Sequence, residues 1–496
     1  MGANHGLRPI FIMKNIFKYI IIVLIFSALS ACKKDEGEIK VNQAPNTQIS
    51  VEAINLSGDR RLNTIVHLTW YGSDPDGYVV GYEISYDQVN WTYTTKQDST
   101  FKFSINSGSD TTDIDLYVRA IDNENQRDPS PDYLKVPIKN TAPSISFDAK
   151  LTIADTAFLV ATTAWSAQDI DGIETITKVM LSINGKTWYE LNKSKKTFSI
   201  LPSDPITSDT TSSYIYYDSD KNPSSQLIEG LVVNDTNRLY IKAIDQAGTE
   251  SKIDSSNTFY LKGKKNDILV VGGVTGNSKS VYTNSLTNVG VQYDFLDLLA
   301  NNGLYQPKVW NITFRLQLEQ YDKLFFYSDE TIFKNPYTNL SAMLLEFSAA
   351  SLQNYANDGG KYLISTKFNH NQTIDVFVGV LPIASVSTKN YGSARLYSGD
   401  SIVTTLPNYP NLSTNTTISG VGVYNIDSAD TEVLYTANVV DGRPTKPWND
   451  TKIIASGRRV GGKLNQIYFG MQLWQLYDKP ERLEALFNQI FNVEFN

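Results

Sequence analysis

Covalent chemistry has few residues to draw on in this chain. Its 496 residues include one cysteine, Cys32, and three histidines, His5, His67 and His370. A hydrolase of the acyl-transfer kind needs a nucleophile, a base within reach of it, and a third group that orients the base. Ser365 and His370, in "ISTKFNHNQ", come nearest to that set. No orienting carboxylate or oxyanion donor can be assigned to them, and there is no Gly-x-Ser-x-Gly elbow. Asp329 and Glu330 are sequence neighbours, so their side chains diverge and make a poor acid–base pair. These observations point away from an enzyme.

Metal and cofactor chemistry is equally sparse. Asp74 and Asp76 in "SDPDG", and Asp169 and Asp171 in "QDIDG", offer hard oxygens of the type Ca²⁺ takes. Calcium wants roughly six to eight such oxygens, and the glutamate that closes an EF-hand loop is missing. Asp-x-Asp-Gly is also ordinary turn chemistry. The expectation is no cofactor, with calcium the one cation these turns could serve. In "VVGGVTGN" the glycines do not give G-x-G-x-x-G, and no Gly-Lys-Ser/Thr follows, so a strand-to-helix turn is the better reading. Gly273, Ser328, Asp329 and Ser365 stand at expected strand ends, where open α/β sheets bind ligands. Trp310, Trp448, Trp474 and Tyr477 would offer sugar-stacking faces if exposed, although aromatic residues more often fill cores.

The elements that must position these residues begin with a leader. In "MKNIFKYIIIVLIFSALSAC", Lys14 and Lys18 precede an apolar run from Ile20 to Leu29, and Ser30 and Ala31 precede Cys32. That is the layout of a secretory signal peptide over 1–31, too short for a comfortable span, with translation starting at Met13. Leu29-Ser30-Ala31-Cys32 resembles the bacterial lipobox, which implies cleavage before Cys32 and lipid on its thiol. The following Lys33, Lys34, Asp35 and Glu36 resemble the export signal of Bacteroidetes lipoproteins. That resemblance implies display on the extracellular face of the outer membrane, with 32–42 as a lipidated tether. With no second cysteine, packed cores must supply the stability.

Hydrophobic residues make up 41% of the chain and aromatics 11%, enough for several cores. A net charge of −8 lacks the basic stripe of a nucleic-acid binder. Between residues 42 and 262 the sequence repeats. "QAPNTQISV" returns as "TAPSISFDA", "LTWYGSDPDGYV" as "TAWSAQDIDGIE", "SYDQVNWTYT" as "SINGKTWYEL", and "LYVRAIDNENQ" as "LYIKAIDQAGT". Four blocks in the same order indicate duplication. Alternation in "IVHLTW" and "DLYVRAI", with Gly, Asp and Asn between blocks, predicts two all-β sandwiches, 43–140 and 141–263. They resemble fibronectin type III and related immunoglobulin-like modules, with Trp70 and Trp165 as core residues. Tyr117 and Tyr240 fall on the strand that carries the tyrosine corner in such modules. "SDPITSDTTSSYIYYDSDKNPSSQ" is expected to be an extended loop inserted in the second copy.

From Asp267 the pattern changes to buried strands alternating with helices, as in "DILVVGG", "YDKLFFYSDE", the helical stretch Asn339 to Gly360, and "KYLISTKF". This predicts an α/β, flavodoxin-like domain over 264–496, with a β-rich insertion between Val376 and Arg459. The order of elements resembles the class I glutamine amidotransferase-like fold. In that family a cysteine nucleophile follows the strand matched by Lys361 to Ile364. Here Ser365, Thr366 and Lys367 stand there, so the resemblance implies a degenerate, non-catalytic member.

The function expected from these readings is a surface lipoprotein in which two sandwich spacers carry a non-catalytic α/β head. It would be anchored to the outer membrane by lipid and serve as a binding or accessory subunit of an outer-membrane protein complex. A surface glycan-binding protein is the alternative, and a hydrolase using the α/β crevice the second alternative. Several Asp-Ser/Thr triplets resemble the Bacteroidetes O-glycosylation sequon, implying sugars on Ser99, Thr111, Thr156, Thr210, Ser401 and Ser428.

Overall fold

The computed structural model describes residues 40–50, 61–105, 108–274, 276, 278–366, 376–377, 379–387, 394–427, 429–443 and 446–496. Cys32, Lys33 to Glu36, His5, His370 and Ser428 lie outside the described residues. The chain divides into two compact units, one within Met1–Ser104 and Thr111–Ile138, the other Ile105–Asp110 with Lys139–Asn496. The described chain is predominantly β, with four α-helices among the described residues.

In the first unit, strand Ile65–Ser73 alternates regularly between exposed and buried positions, as a half-buried strand must. It pairs antiparallel with Asn46–Ser50 on one side and Asp98–Lys102 on the other. The opposing sheet runs Thr92–Thr94, Val79–Ser85, Thr111–Asp122, Asp132–Lys139. Three strands against four in this order is the fibronectin type III arrangement. Trp70 sits in its core at 3% exposure, its indole N–H donated to the Lys96 carbonyl at 2.9 Å. Tyr117 does not form a tyrosine corner. Its side chain lies on the outer face, where its ring meets that of Tyr133 at 5.0 Å. The buried phenol near the core tryptophan is Tyr82, whose hydroxyl accepts the Gly72 N–H at 3.1 Å.

The second sandwich, within the other unit, keeps a buried tryptophan at the matching place, Trp165, with Lys196 Nζ 3.9 Å from its ring centre. Tyr240 is likewise no corner, being only half-buried, with Arg238 over its ring. The inserted stretch departs from the expected loop. Thr210–Tyr217 is a strand, paired with Thr197–Pro202 and Ile228–Val232, and it widens one sheet to five strands. Its β-branched and aromatic residues explain this, since Ile215 and Tyr217 face the core on alternate positions.

Beyond residue 264 a mixed sheet of nine strands forms the backbone of the unit. Asp294–Asp297, Ile268–Gly273, Lys323–Ser328, Lys361–Ser365 and Lys463–Phe469 lie side by side and parallel. The sheet then continues antiparallel through Ile453–Val460, Thr431–Ala437, Ser401–Thr404 and Leu412–Ser413. The β-rich stretch after Val376 therefore extends the same sheet. Helices cover both faces. Ser278–Asn288 and Pro480–Phe487 pack with Val270, Phe325, Leu363 and Ile467, while Trp310–Leu318 and Leu344–Asn357 pack with Val271, Phe326 and Ile364. The long helical stretch expected from Asn339 is shorter, because Ser341–Met343 pairs with Ile332–Lys334 as a hairpin before the helix begins at Leu344.

Helix Trp310–Leu318 has eight buried residues out of nine, including Thr313, Arg315 and Gln317. Such polar residues would face water on a surface helix. Here the second sandwich covers them. Thr162 and Thr313 share a hydroxyl hydrogen bond at 2.7 Å, Gln317 Nε2 donates to the Phe158 carbonyl at 2.8 Å, and Arg315 Nη2 donates to the Asp220 carbonyl at 2.8 Å. Leu159, Val160, Leu201 and Tyr216 of the sandwich belong to the same apolar cluster as the helix.

Candidate functional site

The parallel strands aim Gly273, Ser328, Asp329 and Ser365 towards one end of the sheet, as the sequence implies. The structure does not leave them open. Gly273, Ser328 and Ser365 are buried, and only Asp329 is half-buried. A Cβ added to Gly273 would lie 2.7 Å from Leu344 Cδ1, so the Leu344 side chain packs directly on that glycine. Ser328 Oγ donates to Thr366 Oγ1 at 3.1 Å, and Asp329 Oδ1 accepts the Thr331 N–H at 3.0 Å.

What covers Ser365 is the chain itself. Its hydroxyl donates to the Met471 carbonyl and accepts the Leu473 N–H, both at 3.0 Å. Met471, Leu473 and Leu476 are buried in the same cluster as the parallel sheet. Tyr282 fixes the segment from the other side, its hydroxyl accepting the Trp474 N–H at 3.0 Å. Burial raises the Tyr282 pKa well above that of a free phenol, and the hydrogen bond from the Trp474 N–H offsets part of this. The Ser365 hydroxyl is thus engaged by two backbone groups of the segment that covers it.

The aromatic candidates are placed in packing roles. Trp310 is buried and stacks on Phe347 at 5.6 Å. Trp448, Trp474 and Tyr477 are half-buried against the sheet cluster. The Trp448 indole donates to the Thr451 carbonyl at 3.0 Å, and that of Trp474 to Gln472 Oε1. Trp310 is thus enclosed, whereas Trp448, Trp474 and Tyr477 each pack against the cluster and keep part of their surface exposed. His67 is on the outer face of the first sandwich, 3.8 Å from Asp98.

The paired aspartates of the two turns serve as clasps. In the first sandwich Asn42 Nδ2 donates to Asp122 Oδ2 at 2.6 Å, while the Gln43 N–H meets the Asp76 carboxylate at 3.2 and 3.3 Å. In the second, Asn140 Nδ2 donates to Asp245 Oδ2 and the Thr141 N–H to Asp171 Oδ2, each at 2.6 Å. Asp169 accepts the Asp171 N–H and the Thr175 hydroxyl. Asp74 accepts the Asp76 N–H through Oδ1, and its Oδ2 is buried without a hydrogen bond. Among the described residues no three His, Cys, Asp or Glu side chains converge on a metal position. The donor set is that of a turn gripping the incoming strand. Residue type alone does not mark Asn42, Asn140, Asp122 and Asp245 as partners of these turns, although the repeated "NQAP"/"NTAP" and "RAID"/"KAID" carry the signal.

Of the sequon hydroxyls, Thr111, Thr210 and Ser401 are on exposed residues, and Ser99 and Thr156 on half-buried ones. No helix among the described residues is long and apolar enough to cross a membrane.

No protein-family model and no curated protein matches the chain. Among solved structures it is similar to fibronectin(III)-like modules of Clostridium thermocellum CbhA, at 13% identity over 43% of this chain and 94% of that one, with a TM-score of 0.16. It is similar to a two-domain fibronectin type III segment of chicken tenascin, at 14% identity over 44% of this chain and 99% of that one, with a TM-score of 0.21. A GMP synthase-type protein from Thermoplasma acidophilum aligns at 8% identity over 46% of this chain and 96% of that one, with a TM-score of 0.26.

Proposed function

We propose that this protein is a non-catalytic lipoprotein, anchored through Cys32 on the extracellular face of the outer membrane and serving there in a binding or accessory role. The observation that carries the non-catalytic part is the closure of the strand-end crevice over Ser365 by Met471 and Leu473. The parallel strand order, with helices on both faces, supports reading residues 264–496 as a flavodoxin-like frame related to the class I glutamine amidotransferase fold. In that reading the position of the family's nucleophile has become a structural serine. The lipobox and the acidic run after Cys32 support the anchor and the surface location. The partner in this reading is another outer-membrane protein, and exposed Thr111, Thr210 and Ser401 are the hydroxyls best placed to carry O-linked sugars.

The test separates anchor, location and chemistry. Cys32→Ala should release the protein from membranes, and replacing Lys33 to Glu36 by alanine should abolish surface labelling without unfolding it. Detergent pull-down of the anchored protein should retrieve the same outer-membrane partner from wild type and from Ser365→Ala. Loss of a cellular activity in Ser365→Ala, with folding and partner capture intact, would overturn the non-catalytic reading.

A further inference from the structure

The closed crevice directs attention to the next pair of strand ends. The loop after Asp294–Asp297 and the hairpin after Lys323–Ser328 both leave the carboxyl ends of parallel strands, the side on which open α/β sheets hold ligands. Between them lies a cavity of about 370 Å³, within the range of small-molecule sites. Its lining includes Asn301, Asn302, Gln306, Lys308, Phe333 and Lys334. A smaller recess of about 60 Å³ shares Leu304, Gln306, Pro307 and Lys308 with it.

The walls are held unequally. Asn335 is buried and committed on all sides, accepting the Tyr337 and Thr338 N–H groups and donating to the Lys308 carbonyl. The opposite wall turns through three left-handed residues, Asn301 (φ 49°, ψ 45°), Asn302 (φ 57°, ψ 35°) and Gly303 (φ 82°). Two non-glycine residues in succession there are backbone strain, which persists where the surroundings demand it and gathers at ligand clamps. The turn carries the exposed Asn302 amide to the mouth of the cavity, with half-buried Gln306 beside it.

We propose that this cavity binds a saccharide of one or two rings. Amide side chains present a donor and an acceptor side by side, which matches a pair of neighbouring hydroxyls. Phe333 and the two prolines in the lining supply apolar surface for the carbon face of a ring. No carboxylate is among the lining residues, whereas Lys308 and Lys334 are, so a cationic ligand is disfavoured and a neutral or carboxylated sugar is accepted. This goes beyond the accessory role, which rests on Ser365 and the anchor and is unaffected by the outcome here.

Saturation-transfer NMR on the detergent-solubilised full chain tests it, with the methyl glycosides of glucose, galactose and N-acetylglucosamine, and glucuronate, as separate probes. At least one probe should receive transfer, and Asn302→Gly should weaken its binding at least tenfold. Glycine keeps the left-handed turn, so that loss would report the amide and not misfolding. Phe333→Ala is the second variant, read only if its circular dichroism matches wild type. A glucuronate preference removed by Lys334→Gln supports an acidic sugar, and binding of neutral glycosides alone supports a neutral one. No transfer to any probe, or transfer that Asn302→Gly leaves unchanged, would overturn the proposal.

Discussion

The Gly422 N–H donates to the Gly470 carbonyl at 3.1 Å, and a Cβ on Gly470 would overlap the carbonyl oxygen of Gly422. This backbone crossing joins the β-rich stretch after Val376 to the end of strand Lys463–Phe469, immediately before the segment that closes over Ser365. Two chains can approach so closely only where neither carries a side chain.

Gly470→Ala should therefore be among the most damaging single substitutions, costing about 3 kcal/mol or more, because the obstacle is backbone that cannot rotate away. Ser365→Ala should be milder, about 1–3 kcal/mol, from leaving the Leu473 N–H and Met471 carbonyl without partners. Urea unfolding followed by intrinsic fluorescence should rank them in that order. Equal effects would mean that the closing segment is not held as described.

The apolar cluster shared by Leu159, Val160 and helix Trp310–Leu318 makes a prediction about folding units. A chain beginning at residue 264 should be insoluble or molten, since it exposes a helix buried on every side but one residue. A chain beginning at residue 139 should fold cooperatively. Thr162→Val should destabilise the latter by about 1–3 kcal/mol, through the lost bonds to Thr313 and Ser199. A well-folded 264–496 fragment by circular dichroism and calorimetry would refute the shared core.

The clasp on Asn140 should matter more than an exposed asparagine normally does. Its amide donates to Asp245 at 2.6 Å and to Thr249 Oγ1 at 2.8 Å, so Asn140→Ala should cost about 1–3 kcal/mol in thermal or urea unfolding. Asn140→Asp should be worse, placing a second carboxylate against Asp245. Calcium titration of either variant should leave the loss in place if the aspartates act as hydrogen-bond acceptors.

Acid should unfold the first sandwich through Glu83. Burial alone would raise its pKa, but hydrogen bonds and charge from Arg127 and Arg119 carry it below the ordinary value. A carboxylate depressed in the folded state contributes stability that is complete above its unfolded pKa of about 4 and disappears as pH falls through the folded value. Asp122, held by Asn42 and by the Gln126 and Glu124 N–H groups against the same burial effect, shifts in the same direction. Glu83→Gln should flatten the decline in melting temperature between roughly pH 5 and pH 2. An unchanged acid limb would show that these carboxylates do not set it.

Much of the fold was legible in the sequence because its determinants are local. Period-two burial in Ile65–Ser73, the repeated blocks around Trp70 and Trp165, and the continuous apolar run Ile268–Gly273 each follow from the pattern of one short segment. The strand Thr210–Tyr217 reads as loop in the sequence, because turn-forming residues on either side mask its β-branched and aromatic residues. Other features exist only once distant segments meet. Nothing in "LISTK" says that Met471 and Leu473 will take both hydrogen bonds of Ser365, more than a hundred positions away. Nothing in "WNITFRLQL" says that Thr313, Gln317 and Arg315 will be met by Thr162, Phe158 and Asp220 of the second sandwich. Solvation and hydrogen-bond satisfaction belong to the assembled core, so residue type and spacing set the elements, and tertiary contact alone decided which candidate residues were buried and which partners their polar groups found.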